Sequence, residues 1–191
     1  MCGRLNIIDD PFSQIVSEQL GLAFSTKPNS DLRPTDVIDC VVASPNGELF
    51  QIPLRWGIKP SWSKKVIINA QSESVHQKPT FRDAFSYHRA VIPCSGWYEW
   101  SDKGQGNKVK YLFSEITEKP LYMAGIGYPE TQEVVSLTTS PSRRYEEYHH
   151  RMPMLLGIDE AKIWLTDNKE AAVTLLNDCV DRVPWISKLV S

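Results

Sequence analysis

A chain of 191 residues, 41% of them hydrophobic and six of them Trp, can bury a sizeable core and fits one domain, read here as residues 1–191. Its formal net charge of −2 excludes a protein that coats nucleic acid by bulk electrostatics, so any phosphate binding must come from a local cluster of cations. No apolar run approaches the roughly eighteen residues of a membrane span and no leader-like series opens the chain. The expectation is a monomeric cytoplasmic protein, nucleoid-associated if bacterial, with no membrane partner.

In chain order, the first predicted element is a helix from Asp10 to Leu20. Asp10 can cap it, Pro11 suits its first position, and Phe12, Ile15, Val16 and Leu20 share a face. Strand-like runs follow at Ile38 to Ala43, Leu49 to Leu54, Arg89 to Pro93, Val109 to Ser114, Leu121 to Ile126 and Glu133 to Thr138, mostly bounded by Pro, Gly or charged turns. Between them, Trp56 to Ser63 (WGIKPSWS) reads as an irregular loop able to present rings to bases. Two late helices, about Asp159 to Leu165 and Lys169 to Cys179, offer Ile163, Trp164, Val173 and Leu176 to a sheet. The pattern is α+β: a curled, largely antiparallel, barrel-like sheet flanked by helices.

The opening stretch MCGR places a thiol directly behind the initiator. Removal of Met1 would leave Cys2 with a free α-amine (reference pKa about 7.7 to 8.0) beside its thiol (about 8.5), so both supply reactive forms near neutral pH. Such a 1,2-aminothiol condenses with an aldehyde to an imine, which the thiolate closes to a thiazolidine. The four cysteines, Cys2, Cys40, Cys94 and Cys179, are too scattered for a CxxC pair or a zinc site, so neither metal nor other cofactor is expected.

Three further segments carry polar groups that a plain core does not need. Asn69, in INAQSES, suits either a turn or cap, or an amide that holds an amine. In CSGWYEW, an extended backbone would put Trp97 and Glu99 on one face and Tyr98 and Trp100 on the other. Burial would raise the pKa of Glu99 and fit it to move protons; the alternative is an exposed edge carboxylate. In YHHRMP, an imidazole can protonate a leaving sugar oxygen, while adjacent His149 and His150 should point apart and chelate poorly. Arg4 suits a phosphate near the nucleophile or a surface ion pair.

Taken together, MCGR, RWGIKPSW at 55 to 62, INAQSES at 68 to 74, RAVIPCSGWYEW at 89 to 100, and LTTS with HHRMP between 137 and 153 resemble the SRAP (SOS response-associated peptidase) family. The resemblance implies shielding of abasic sites in single-stranded DNA. Cys2, freed of Met1 by self-processing, would attack the C1′ aldehyde of the opened sugar with its amine and close a thiazolidine crosslink with its sulfur. Asn69 would orient the amine, Glu99 would serve as general acid and base, and His149, rather than His150, would assist ring opening and reversal. Arg4, Thr138 and Arg151 would hold phosphates, with Trp56 and Trp62 beside the bases. Peptidase and lyase activities accompany the resemblance.

Two departures stand out. Gln71 occupies a position that is usually Arg in the family, so one DNA contact loses its charge, and the segment Asp31 to Asp36 is altered, with Arg33 a replacement cation. Two rivals remain at this level. One is a cysteine hydrolase with Cys2 as nucleophile and His149 as base, acting on peptides; the other is a non-covalent single-stranded DNA binding module built on stacking rings and cations.

Overall fold

Most of the apolar runs become strands, because their alternating side chains can bury one face while the backbone bonds to neighbours. The computed structural model describes residues 3–8, 10–102, 106–177 and 183–190. In chain order it contains β1 (Leu5–Ile7), α1 (Phe12–Leu20), β2 (Asn29–Leu32), β3 (Val37–Ala43), β4 (Leu49–Trp56) and β5 (Asn69–Gln71). A 3-10 turn at Ser72–Ser74, α2 (Arg82–Tyr87), β6 (Arg89–Cys94), β7 (Gly96–Ser101), β8 (Val109–Glu115), β9 (Leu121–Tyr128) and β10 (Glu133–Thr139) follow. The chain continues with β11 (Met152–Pro153), β12 (Leu155–Leu156), α3 (Ile158–Thr166), α4 (Lys169–Asn177) and β13 (Trp185–Val190).

The strands sort into two sheets. One runs β13-β8-β7-β1-β2; the other runs β11-β10-β4-β3-β6-β9-β12, with β5 attached to β10 and an extra β10–β9 pairing. That extra pairing closes β10, β4, β3, β6 and β9 into a ring, with β10 parallel to β4 and the other ring pairs antiparallel. The α+β expectation of a curled, largely antiparallel sheet with flanking helices holds. Both faces of the ring are covered: Val41, Val91, Ile126, Val135 and Leu137 are buried on one face, and Ile92 and Met123 on the other.

Helix packing follows the predicted faces except at Ile15, which is only half-buried, and at Ile163. In α1, Phe12, Val16 and Leu20 are buried; the helix begins after Pro11 and has no side-chain cap at its N-terminus. In α3, Trp164 is fully buried and its indole Nε1 donates to the carbonyl of Ala90 at 2.9 Å, pinning the helix across β6. Burial of an indole, about 200 Å², contributes on the order of 5 kcal/mol before entropy is counted. Ile163 instead turns outward and is 37% exposed, because the adjacent Trp164 takes the core side. The expected last helix ends at Asn177, and its extension to Cys179 lies outside the described residues.

A second correction concerns the WGIKPSWS loop. Trp56 ends β4, fully buried, with its Nε1 donating to the Ile68 carbonyl at 3.1 Å. Irregular chain begins only at Gly57, whose φ of +111° suits glycine, and a Cβ there would meet Val66 Cγ1 at 2.5 Å. Trp62, by contrast, is 67% exposed.

Candidate nucleic-acid interface and reactive site

The segment Cys94-Ser95-Gly96 carries the chain from one sheet to the other. β6 ends at Cys94 in the ring and β7 starts at Gly96 in the second sheet. Ser95 secures the crossing: its N–H donates to Asn6 O at 2.8 Å and its hydroxyl accepts from Ile8 N–H at 2.9 Å. β1 therefore lies against β7, with Leu5 opposite Trp97, and the Tyr98 N–H donates to the Arg4 carbonyl at 2.9 Å. Cys2 itself lies outside the described residues. Among the described cysteines, Cys40 and Cys94 are buried, and desolvation pushes both thiols up, that of Cys94 to about 12, so neither is a nucleophile at neutral pH.

β7 is an interior strand, and Glu99 on it is only 4% exposed, which removes the exposed-edge alternative. Alternation works as expected, since Trp97 and Glu99 share a face. Tyr111 stands opposite Glu99 on β8, and Phe113 opposite Trp97. Burial raises the pKa of Glu99, and a hydrogen bond from Tyr145 opposes that rise. On the other face, Trp100 is partly exposed and receives the Arg4 guanidinium 5.3 Å above its ring. Arg4 also pairs with Asp31, which Arg33 engages too; hydrogen bonds from Arg33 and then Arg4 hold the Asp31 carboxyl below its usual range. Arg4 and Arg33 thus both turn toward one carboxylate.

Asn69 is neither turn nor cap but part of β5, directly opposite Ser136 on β10. The Ser136 hydroxyl donates to Asn69 Oδ1 at 2.6 Å, which fixes the amide's orientation. Two residues on, Gln71 is exposed and its Oε1 stands 3.5 Å from Lys78 Nζ. Asn69, Gln71, Thr138 and Arg151 line one cleft of about 330 Å³, together with Lys78 and His150. Thr138 is nearly buried there, its hydroxyl 3.5 Å from the Ala70 carbonyl. Arg151 is committed: Nη1 and Nη2 bind Glu73 at 2.7 and 2.8 Å, and Nη2 also donates to the Thr138 carbonyl at 2.6 Å.

The segment between β10 and β11 links these groups. Its Tyr145 and Tyr148 pack on Phe113 of β8, each with ring centroids 4.9 Å away, while its Arg151 reaches back to β10. His149 lies between them; its Nδ1 is within hydrogen-bond distance of both the Arg151 N–H, at 3.0 Å, and the Arg151 carbonyl, at 3.1 Å. Burial first, then the charges of neighbouring groups including His150 and Lys108, push its pKa down to about 4. The two histidine rings stack, with centroids 4.2 Å apart, rather than pointing apart; contact through the ring faces is still no chelate. Among the described residues no group of His, Cys, Asp or Glu is placed to hold a metal, and no helix is long and apolar enough to cross a membrane.

Trp56, expected beside the bases, presents no ring to solvent because β4 holds it in the core, whereas Trp62 does. Sequence reasoning missed Glu73, Ser136 and Tyr145. Glu73 sits inside the quoted INAQSES segment, and its signal would have been the need of Arg151 for a carboxylate partner. A larger cavity of about 720 Å³, lined by Ile7, Pro28, Leu32, Ile38, Asp39 and Pro93 among others, contains none of the expected site residues, so the smaller polar cleft is the better candidate.

The α+β fold thus sets a buried carboxylate on one sheet, an amide-lined polar cleft on the other and an imidazole on the segment after β10. The chain belongs to the SOS response associated peptidase (SRAP) family, whose model matches residues 1–188. It is 29% identical over 182 residues to the abasic site processing protein YoaM of Bacillus subtilis, spanning 86% of this chain and 79% of that one. It is 27% identical over 138 residues to YedK of Escherichia coli, also named an abasic site processing protein, covering 67% of this chain and 62% of the relative. In fold it is similar to a phage-related protein from Bordetella bronchiseptica, with a TM-score of 0.82 at 22% identity, covering 99% and 94% of the two chains.

Proposed function

We propose that this chain captures abasic sites in single-stranded DNA by forming a thiazolidine crosslink through Cys2, shielding the site from cleavage. Hydrolysis of the Met1–Cys2 bond, in this reading by the protein itself, exposes the α-amine. The amine adds to the C1′ aldehyde of the opened sugar, water leaves to give an imine, the thiolate adds to the imine carbon, and the nitrogen takes a proton. The proposed roles are Asn69 to hold the amine, Glu99 to carry protons in both steps, and neutral His149 to donate a ring proton to the sugar oxygen during opening and reversal. Trp62 stacks on a base, and Arg4, Thr138, Gln71 and Arg151 line the DNA path. With Gln71 uncharged and Arg151 shared with Glu73, phosphate binding is weakly salt-dependent.

The observation that carries the reading is the bond from Tyr98 N–H to the Arg4 carbonyl, which ties the chain two residues after Cys2 to the backbone one residue before the buried Glu99. Covalent geometry keeps Cys2 within about 7.6 Å of that anchor, Cα to Cα. The names of the relatives support abasic-site processing as the activity.

Incubation of the processed protein with an oligonucleotide bearing one abasic site should give a heat-stable adduct, lost in Cys2→Ala and lost when the α-amine is blocked. Turnover that survives the blocked amine would favour a cysteine hydrolase. Binding that never becomes covalent would reduce the protein to a single-strand binding module and sink the proposal.

A further inference from the structure

We infer that Tyr145 is a positioning residue for this site: its hydroxyl, held by the Trp97 indole, donates to Glu99, while its carbonyl holds the backbone of His149. The inference rests on the proposed role of Glu99. Tyr145 is fully buried, and Trp97 Nε1 donates to its hydroxyl oxygen at 3.0 Å. With that lone pair engaged, the hydroxyl proton must go to an acceptor, and the carboxylate on the same face of β7 takes it. Through its main chain the same residue accepts the N–H groups of Tyr148 at 2.9 Å and His149 at 3.3 Å.

A purely structural Tyr–Trp pair explains less. The indole needs one acceptor, and any buried carbonyl would do. What the arrangement adds is a single residue whose side chain meets the carboxylate and whose main chain holds the backbone of His149, groups that come from elements far apart in sequence. Its ring is clamped by Phe113 and Trp185, with centroids at 4.9 and 5.7 Å, so the hydroxyl cannot swing away. Other titratable groups on this side are Tyr111, opposite Glu99 on β8, and Tyr148, whose hydroxyl bonds Ser187 at 2.9 Å. In the processed chain the amine of Cys2 joins them under the proposed function.

Tyr145→Phe keeps the ring packing and deletes the donor. Because the hydroxyl favours the ionised carboxylate, its loss should move the Glu99 titration upward by about one pH unit, the worth of one hydrogen bond to a charged group. Two readouts decide the matter: a carbon-13 NMR titration of labelled glutamates, with the Glu99 signal assigned by Glu99→Gln, and the pH profile of adduct formation at saturating abasic oligonucleotide. A fluorotyrosine at position 145, a stronger donor of nearly the same shape, should move both the opposite way. A purely structural role would leave both profiles in place. Adduct formation with neither profile moved overturns the inference and leaves the proposed function standing. A wild-type protein that forms no adduct removes the proposed function, and the positioning role with it.

Discussion

Arg151 grips Glu73 in a two-pronged pair, Nη1 to Oε1 at 2.7 Å and Nη2 to Oε2 at 2.8 Å, and so ties the segment after His149 to the turn after Asn69. The pair holds the Glu73 carboxyl down to about 2 from its ordinary 4.5, with the Arg151 hydrogen bonds the main cause. Since the folded-state value is depressed, the unfolded chain takes the proton first as pH falls. The stabilisation is fully present above about pH 4.5 and is lost toward pH 2. Glu73→Gln should therefore cost about 1 kcal/mol at pH 7, the modest worth of a half-exposed bidentate pair, and progressively less toward pH 2. Urea unfolding of both proteins across that range checks this; an undiminished deficit at pH 2 would assign the loss to packing instead.

How much of this could be read from the residues alone depended on the range of the interaction. Runs such as Leu121 to Ile126 announce themselves as strands because the apolar pattern is local, and the late helices do likewise. β1, only three residues long, is a strand because Asn6 and Leu5 find partners on β7, far away in sequence. Asn69 read as a turn or cap for the same reason: its strand exists only through pairing with β10. Tyr145 lies in the charged run Arg143 to Glu147, which looks like a solvated face, yet its ring fills the aromatic cluster around Phe113. The motif residues were legible as chemistry, whereas the contacts that orient them were tertiary and had no sequence signature.

The two tryptophans that bracket the WGIKPSWS stretch should behave in opposite ways. Trp56→Ala empties a fully buried site and removes the bond to Ile68, so a loss of about 3 to 5 kcal/mol is expected, enough to unfold many domains. Trp62→Ala changes a side chain that is 67% exposed and should leave stability within about 0.5 kcal/mol. If Trp62 stacks on a base as proposed, its loss should weaken single-stranded DNA binding by about 1 to 3 kcal/mol. Thermal melts paired with fluorescence anisotropy on the same preparations separate the two effects. A Trp62→Ala protein that binds DNA like the wild type would remove this residue from the interface.

Gly96 sets the distance between the strand bearing Glu99 and its neighbour. A Cβ built there would stand 2.4 Å from the Phe113 carbonyl oxygen and 3.0 Å from Leu112 Cδ1. The first obstacle is backbone and cannot rotate away, so β7 must shift against β8. Gly96→Ala should cost about 3 kcal/mol, at the upper end for overpacking, and should slow adduct formation by displacing Glu99 from Tyr145. Denaturant melts and adduct kinetics below the melting range measure the two consequences. Normal kinetics in a destabilised variant would mean that the Glu99 position tolerates movement of its strand.

His149 should work as a neutral imidazole throughout the physiological range. Its pKa of about 4, set first by burial, lies below the ordinary 6.5, so between those values the unfolded chain binds the proton and the folded chain does not. Stability therefore falls as pH drops through that window, and His149→Gln should flatten this part of the profile. The proposed reversal chemistry carries the same signature. A neutral ring has one N–H proton to offer the sugar, and that supply does not change between pH 8 and about pH 5. Adduct release, followed by trapping the freed abasic strand, should show no inflection near 6.5 that depends on His149. Such an inflection, present in the wild type and absent in His149→Gln, would mean that the imidazolium is the working form and that the burial seen here is relieved when DNA is bound.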